Sequence, residues 1–139
     1  MKKFFSLFVA LFVFVAVGYA QKGVMKFKKE THDFGKVEQG KPVTHVFEFT
    51  NTGTDPVVIA DAVASCGCTK PTFSREPIMP GKTGSISATY NAAAMGGFNK
   101  SVTVTSNAET PSIVLYLKGE VVAKVAATSS AADKKKGTK

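Results

Sequence analysis

The sequence predicts an all-β protein, a single antiparallel immunoglobulin-like β-sandwich of about seven strands. Three observations predict it. Apolar residues recur with a period close to two over several short stretches, as they do in strands with one buried face. The six prolines all fall at the edges of those stretches or between them, where a residue without an N–H does no damage to a sheet ladder. Turn signals follow one another at intervals of roughly 8 to 12 residues. No helical periodicity longer than a turn and no internal repeat is present. An up-and-down barrel is the alternative architecture.

In chain order, a first strand is expected over Val24 to Lys28, followed by a short element at Phe34 to Val37. From Thr44 to Thr50, Phe47 and Phe49 share one face while Glu48 and Thr50 take the other. Val57 to Val63 and Ile113 to Leu117 are apolar at nearly every position, which leaves their inward face open and suits central strands or strands covered on both sides. Gly84 to Tyr90 alternates Ile86, Ala88 and Tyr90 with Ser85, Ser87 and Thr89. Phe98 to Ser106 turns Phe98, Val102 and Val104 inward, against Ser101, Thr103 and Thr105, with Lys100 reaching out at an edge. Pro42, Pro56, Pro71, Pro77, Pro80 and Pro111 mark the boundaries. Asn51-Thr52-Gly53, Pro80-Gly81 and Gly96-Gly97 supply turns, because glycine takes the positive φ that other residues avoid.

The two ends differ from this pattern. Lys2 and Lys3 precede an apolar run from Phe4 to Val17, then Gly18-Tyr19-Ala20, the order of a secretory signal peptide cleaved after Ala20. The run is shorter than the ~20 apolar residues a membrane-spanning helix needs, so no transmembrane segment is expected in the mature chain. Residues 121 to 139 are mostly Ala, Ser, Thr, Lys and Gly, with Lys134-Lys135-Lys136 and no aromatic residue. This composition predicts a disordered tail. The expected organisation is therefore a signal peptide over 1 to 20, one sandwich over 21 to 120 and a Lys/Ala/Ser-rich tail over 121 to 139, exported to the periplasm or beyond.

The formal charge of +8 is concentrated in those ends. Five lysines against Asp133 give the tail +4, while eleven basic against nine acidic residues leave the domain at +2. Nucleic-acid binding loses its support, and electrostatic contact of the tail with an anionic envelope surface remains open.

Ser65-Cys66-Gly67-Cys68-Thr69 holds both cysteines of the chain. In an oxidising compartment paired thiols tend to form disulfides, and two cysteines with one glycine between them can reach the ~4.4 to 6.8 Å Cα separation that the bond allows. So small a loop is a poor staple, about 2 kcal/mol or less by chain entropy. Three roles compete: a local disulfide or buried thiol pair at a strand end, a redox-active dithiol, and a soft-metal ligand pair. The redox role lacks the Cys-x-x-Cys at a helix N-terminus. The metal role would draw on His32, His45, Met79 or Met95, none of them close in sequence to the cysteines. Nucleophile turns, phosphate-cradling glycine loops, His-Glu-x-x-His and zinc patterns are missing. No catalytic residue, cofactor or metal is expected.

The order Asp33-Phe34-Gly35, Phe47-Glu48-Phe49-Thr50-Asn51-Thr52-Gly53, Ser65-Cys66-Gly67-Cys68-Thr69, Pro77-Ile78-Met79-Pro80-Gly81, Lys100 to Asn107 and Leu117-Lys118-Gly119 resembles one bacterial family over residues 30 to 120. That family is domain of unknown function fifteen seventy-three, mostly exported and immunoglobulin-like, akin to hydin and major-sperm-protein type domains. The resemblance implies a core position for Phe34, a turn at Asn51 and Gly53, a tight hairpin entry at Pro80-Gly81, and a site around Cys66, Gly67, Cys68 and Thr69. It implies no activity. The expected function is a non-enzymatic binding or structural module of the envelope, with a protein or envelope polymer as partner. A redox or soft-metal protein built on the Cys-Gly-Cys pair is the alternative.

Overall fold

A computed structural model describes residues 22 to 124. The expected signal peptide and nearly all of the expected tail lie outside the described residues. Eight strands form: β1 Met25–Phe27, β2 Thr31–Glu38, β3 Val43–Asn51, β4 Ile59–Ala64, β5 Thr69–Phe73, β6 Thr83–Tyr90, β7 Gly96–Ser106 and β8 Ser112–Val122. They make two four-stranded sheets, β1-β3-β6-β5 and β2-β8-β7-β4. Every neighbouring pair is antiparallel except β2 with β8, which is parallel. This is the immunoglobulin sandwich with its first strand divided between the sheets.

The division happens at Lys28-Lys29-Glu30. Lys28 N–H still donates to Glu48 O at 3.1 Å in the first sheet, and Tyr116 N–H donates to Glu30 O at 2.7 Å in the second. β1 therefore covers only Phe49 to Asn51 of β3.

The inward faces follow the alternation. Phe47, Phe49, Ile86, Ala88 and Tyr90 are buried from the first sheet, and Val102, Val104, Leu115, Leu117 and Val121 from the second. Burying side chains of this kind contributes about 1.5 to 3 kcal/mol each for the larger ones. The Val57 to Val63 stretch, ambiguous in sequence, resolves to Val57, Ile59 and Ala62 inward, with Val63 exposed. A register shift between Ile59 and Asp61 separates the inward positions by three residues there.

Two expectations need correction. Thr69–Phe73 is a strand, although Pro71 reads as a breaker. Asn91 N–H donates to Cys68 O at 3.0 Å, and with Thr69 opposite Tyr90 this fixes the alternation so that the N of Pro71 faces the open edge, where no ladder bond is lost. Lys100 lies on β7 opposite Leu117 of β8, just past the Ser65–Ser101 bonds that end the β4 ladder, so β7 has no strand on its β4 side there. Phe34 belongs to an eight-residue strand and is half-buried against the core rather than within it.

Asn51 ties one pole of the sandwich together. It is fully buried; its Oδ1 accepts from Val24 N–H at 3.2 Å and Gly53 N–H at 3.0 Å, and its Nδ2 donates to Asp55 O and Ile78 O at 2.8 Å each. Beside it, Lys82 N–H donates to Met79 O at 3.0 Å across Pro80-Gly81. Gly81 has φ 76°, the positive value a type II turn requires after proline.

Candidate functional site

At the opposite pole the chain passes from β4, an edge of the second sheet, to β5, an edge of the first. Ser65 makes the exit. Its N–H donates to Ser101 O at 2.8 Å, while its hydroxyl, in place of its carbonyl, accepts from Ser101 N–H at 3.2 Å. The ladder ends there and the backbone is free to turn. Thr69 N–H donates to Cys66 O at 3.3 Å and closes the corner.

The cysteine Cα atoms are 5.2 Å apart with the two sulfurs in contact, and Cys66 Sγ lies 3.9 Å from Thr69 Oγ1. The four expected site residues divide by depth. Thr69 is buried, Cys68 is half-buried against the core, Cys66 is half-buried, and Gly67 is exposed at the tip. Cys68 and Thr69 are the root of the corner, because alternation in β5 turns Thr69 inward.

Two further loops join this corner. Asn91 bonds Cys68 through its backbone and accepts from Ala93 N–H at 3.1 Å through Oδ1. Ala92 is fully buried with φ 50°, a left-handed conformation that costs an alanine roughly 1 to 2 kcal/mol. Its carbonyl accepts from Gly40 N–H at 2.9 Å, and Gln39 Nε2 donates to Ala93 O at 3.0 Å. Gln39 N–H in turn donates to Val122 O at 2.9 Å. Met95, 59% exposed, completes the surface. Sequence reasoning missed Asn91 to Ala94; the available signal was a run of three alanines between a turn-forming Asn and Gly96-Gly97.

The residues considered for metal binding are dispersed. Met79 lies at the Asn51 pole and Met95 at the cysteine pole, while His32 and His45 stack on each other. Among the described residues no group of three or more His, Cys, Asp or Glu converges. Burial, then the neighbouring His32 and Lys29, hold the His45 pKa below its ordinary value. A hydrogen-bonded ion pair with Lys28 lowers that of Glu48.

The fold and this pole define an immunoglobulin-like domain presenting clustered loops on a rigid sandwich. The chain belongs to the family described as protein of unknown function (DUF1573), which matches residues 25–121. No curated protein matches it. A protein of unknown function from Porphyromonas gingivalis W83 has the same fold, with a TM-score of 0.65 and 20% identity over 78% of this chain. This chain spans about half of that one, 51%. The ASH / PapD-like domain of human CEP192 is similar at a TM-score of 0.61 and 11% identity, covering 74% of this chain and 88% of that domain. The secreted serine protease VesC from Vibrio cholerae contains a similar region, at a TM-score of 0.55 and 17% identity over 70% of this chain and 23% of the protease. At these identities the likeness is one of fold.

Proposed function

We propose that the chain is an exported, non-enzymatic binding or structural module of the cell envelope, and that it engages a protein or envelope polymer through the pole carrying Cys66 to Thr69. In this reading Cys66 and Cys68 are oxidised and hold the corner rigid. The observation that carries it is the cross-tying of three loops, around Gln39, Cys66 and Ala92, by backbone bonds that hold Gly67 outward on a fixed base. Binding residues concentrate on loops positioned in this way, and a non-glycine residue in the left-handed region is the kind of local strain that collects at such sites.

A Cβ at Gly67 meets nothing within 4 Å, so Gly67→Arg places a bulky charge at the tip without disturbing the fold. Affinity capture from envelope fractions is expected to recover a macromolecule with the wild-type chain and to lose it with Gly67→Arg. Recovery of nothing reproducible, or equal recovery by both, overturns the proposal. The exposed tip beside two sulfurs favours one second reading, a redox-active or soft-metal dithiol. Alkylation before and after reductant, with metal titration of the reduced protein, tests it; sulfurs that resist mild reductant and ignore copper and zinc exclude it.

A further inference from the structure

Most strand edges of this sandwich are closed to further pairing. Pro71 removes the donor at the centre of the β5 edge. On β4 the register shift at Ile59/Asp61 breaks the edge, and Asp61 Oδ1 accepts the outward N–H of Ala62 at 2.8 Å. On β2 the register shifts between Asp33 and Lys36, with Asp33 Oδ1 accepting from Gly35 N–H at 2.8 Å.

Among the stretches that lack such a device is the first half of β3. The chain leaves the first sheet at Lys28, so β3 has no neighbour on its β1 side beyond Glu48. The bond from Lys28 N–H to Glu48 O shows that the even-numbered residues of β3 direct their backbone groups to that side, and Asn51 N–H bonding Lys82 O shows that the odd ones face β6. Among the described residues the N–H and C=O of Thr44 and Val46 have no backbone partner. Pro42 ends this open stretch on one side and Lys28 on the other. A groove of about 270 Å³ lies along it, lined by Lys28, Lys29, His45, Val46, Phe47 and Glu48. Val46 is 48% exposed.

We propose that this half-edge is a strand-addition site for an extended, acidic peptide segment of a partner protein. The segment continues the line of β1 along Val43 to Phe47, about 17 Å at about 3.4 Å per residue. Two unpaired donors and two unpaired acceptors, on alternate residues, are what an added strand pairs with, and alternate side chains enter the groove beside His45 and Phe47. Charge selects the occupant. Lys28 and Lys29 line the groove against Glu48, which pairs with Lys28, and Lys26, Glu30 and Lys41 adjoin these residues along the chain, an excess of positive charge that favours carboxylates. A second copy added antiparallel would set its own Lys41 against Lys28 and Lys29. The Lys134-Lys135-Lys136 segment of this chain carries the same sign. The site does not use the Cys66 pole, so it stands or fails separately from the function proposed above.

The probe is an acetylated and amidated heptapeptide of alternating valine and glutamate, titrated to millimolar concentration into the isotope-labelled full chain. Amide resonances of Thr44 and Val46 are expected to shift, and their hydrogen exchange to slow about tenfold, a change of about 1.4 kcal/mol. The backbone N-methylated peptide, unable to pair, should produce neither effect. The lysine counterpart should bind more weakly, and Lys28→Glu/Lys29→Glu should reverse that preference. Val46→Pro should abolish binding, with the charge variant serving if the proline variant fails to fold. Unchanged Thr44 and Val46 amides, shifts confined to the Gly67 pole, or equal effects from the N-methylated peptide overturn the proposal. So does concentration-dependent protection of these amides without peptide, which assigns the edge to a second copy.

Discussion

His32 of β2 and His45 of β3 stack face to face across the two sheets, with ring centroids 3.6 Å apart and planes within 6°. Phe34 and Phe47 pack edge-on against the pair, at 4.5 Å from His32 and 4.7 Å from His45. With Lys29 also acting on His45, the arrangement disfavours a positive charge on that ring.

The first prediction follows from this stack. His45 has a folded pKa lowered from the ordinary 6.5, so the unfolded state binds its proton more tightly and stability rises with pH through that window. The contribution is complete above about pH 6.5 and is lost as pH falls through and below it. Urea unfolding at about pH 8 and about pH 5 should show lower stability in acid, and His45→Phe should flatten the difference. An unchanged slope in that variant would assign the acid sensitivity elsewhere.

Asn51→Ala should be among the most damaging polar substitutions in the domain. It strips the partner from the N–H groups of Val24 and Gly53 and from the carbonyl of Asp55, while the carbonyl of Ile78 keeps the N–H of Val57. An orphaned buried group costs about 1 to 3 kcal/mol; water reaching some of the three brings the expected total to about 3 kcal/mol. At roughly 4 to 8 °C per kcal/mol, Tm should fall by roughly 12 to 24 °C.

Replacing both cysteines by serine should leave the sandwich folded, at a cost of about 2 kcal/mol or less from the small loop. The singles should differ. Cys68 packs on the core and Cys66 does not, so Cys68→Ser should be the costlier change in thermal melts under reductant. A Tm fall above about 15 °C in the double variant would mean that the corner is core.

A crowded glycine and an open one should separate cleanly. A Cβ on Gly119 meets Phe98 Cζ at 2.7 Å and Gly35 O at 2.9 Å, so Gly119→Ala forces the ring or the β2 bulge to move, at about 1 to 3 kcal/mol. Gly67→Ala meets nothing and should stay within about 0.5 kcal/mol of wild type. Calorimetric scans of the two variants check both values.

Local alternation determined what could be read along the chain. Phe47 and Phe49, Ile86 and Ala88, and Val102 and Val104 declare their faces because a strand's period of two is written into adjacent residues. The turn at Pro80-Gly81 is equally local, since both special φ values belong to neighbouring residues. The Cys66 to Thr69 corner was legible as a candidate for the same reason, its chemistry lying within four consecutive positions.

What the tertiary structure decided depends on neighbours remote in sequence. Pro71 reads as a breaker until pairing with β6 turns its nitrogen to an open edge. Asn91 and Ala92 belong to the Cys66 pole only because β5 and β6 lie side by side, and His32 meets His45 only because the chain changes sheets between them. The open half of β3 follows from the earlier crossing at Lys28 to Glu30. Nothing in Thr44 or Val46 marks their backbone groups as unpaired, since a missing neighbour is a property of the sheet and not of the strand.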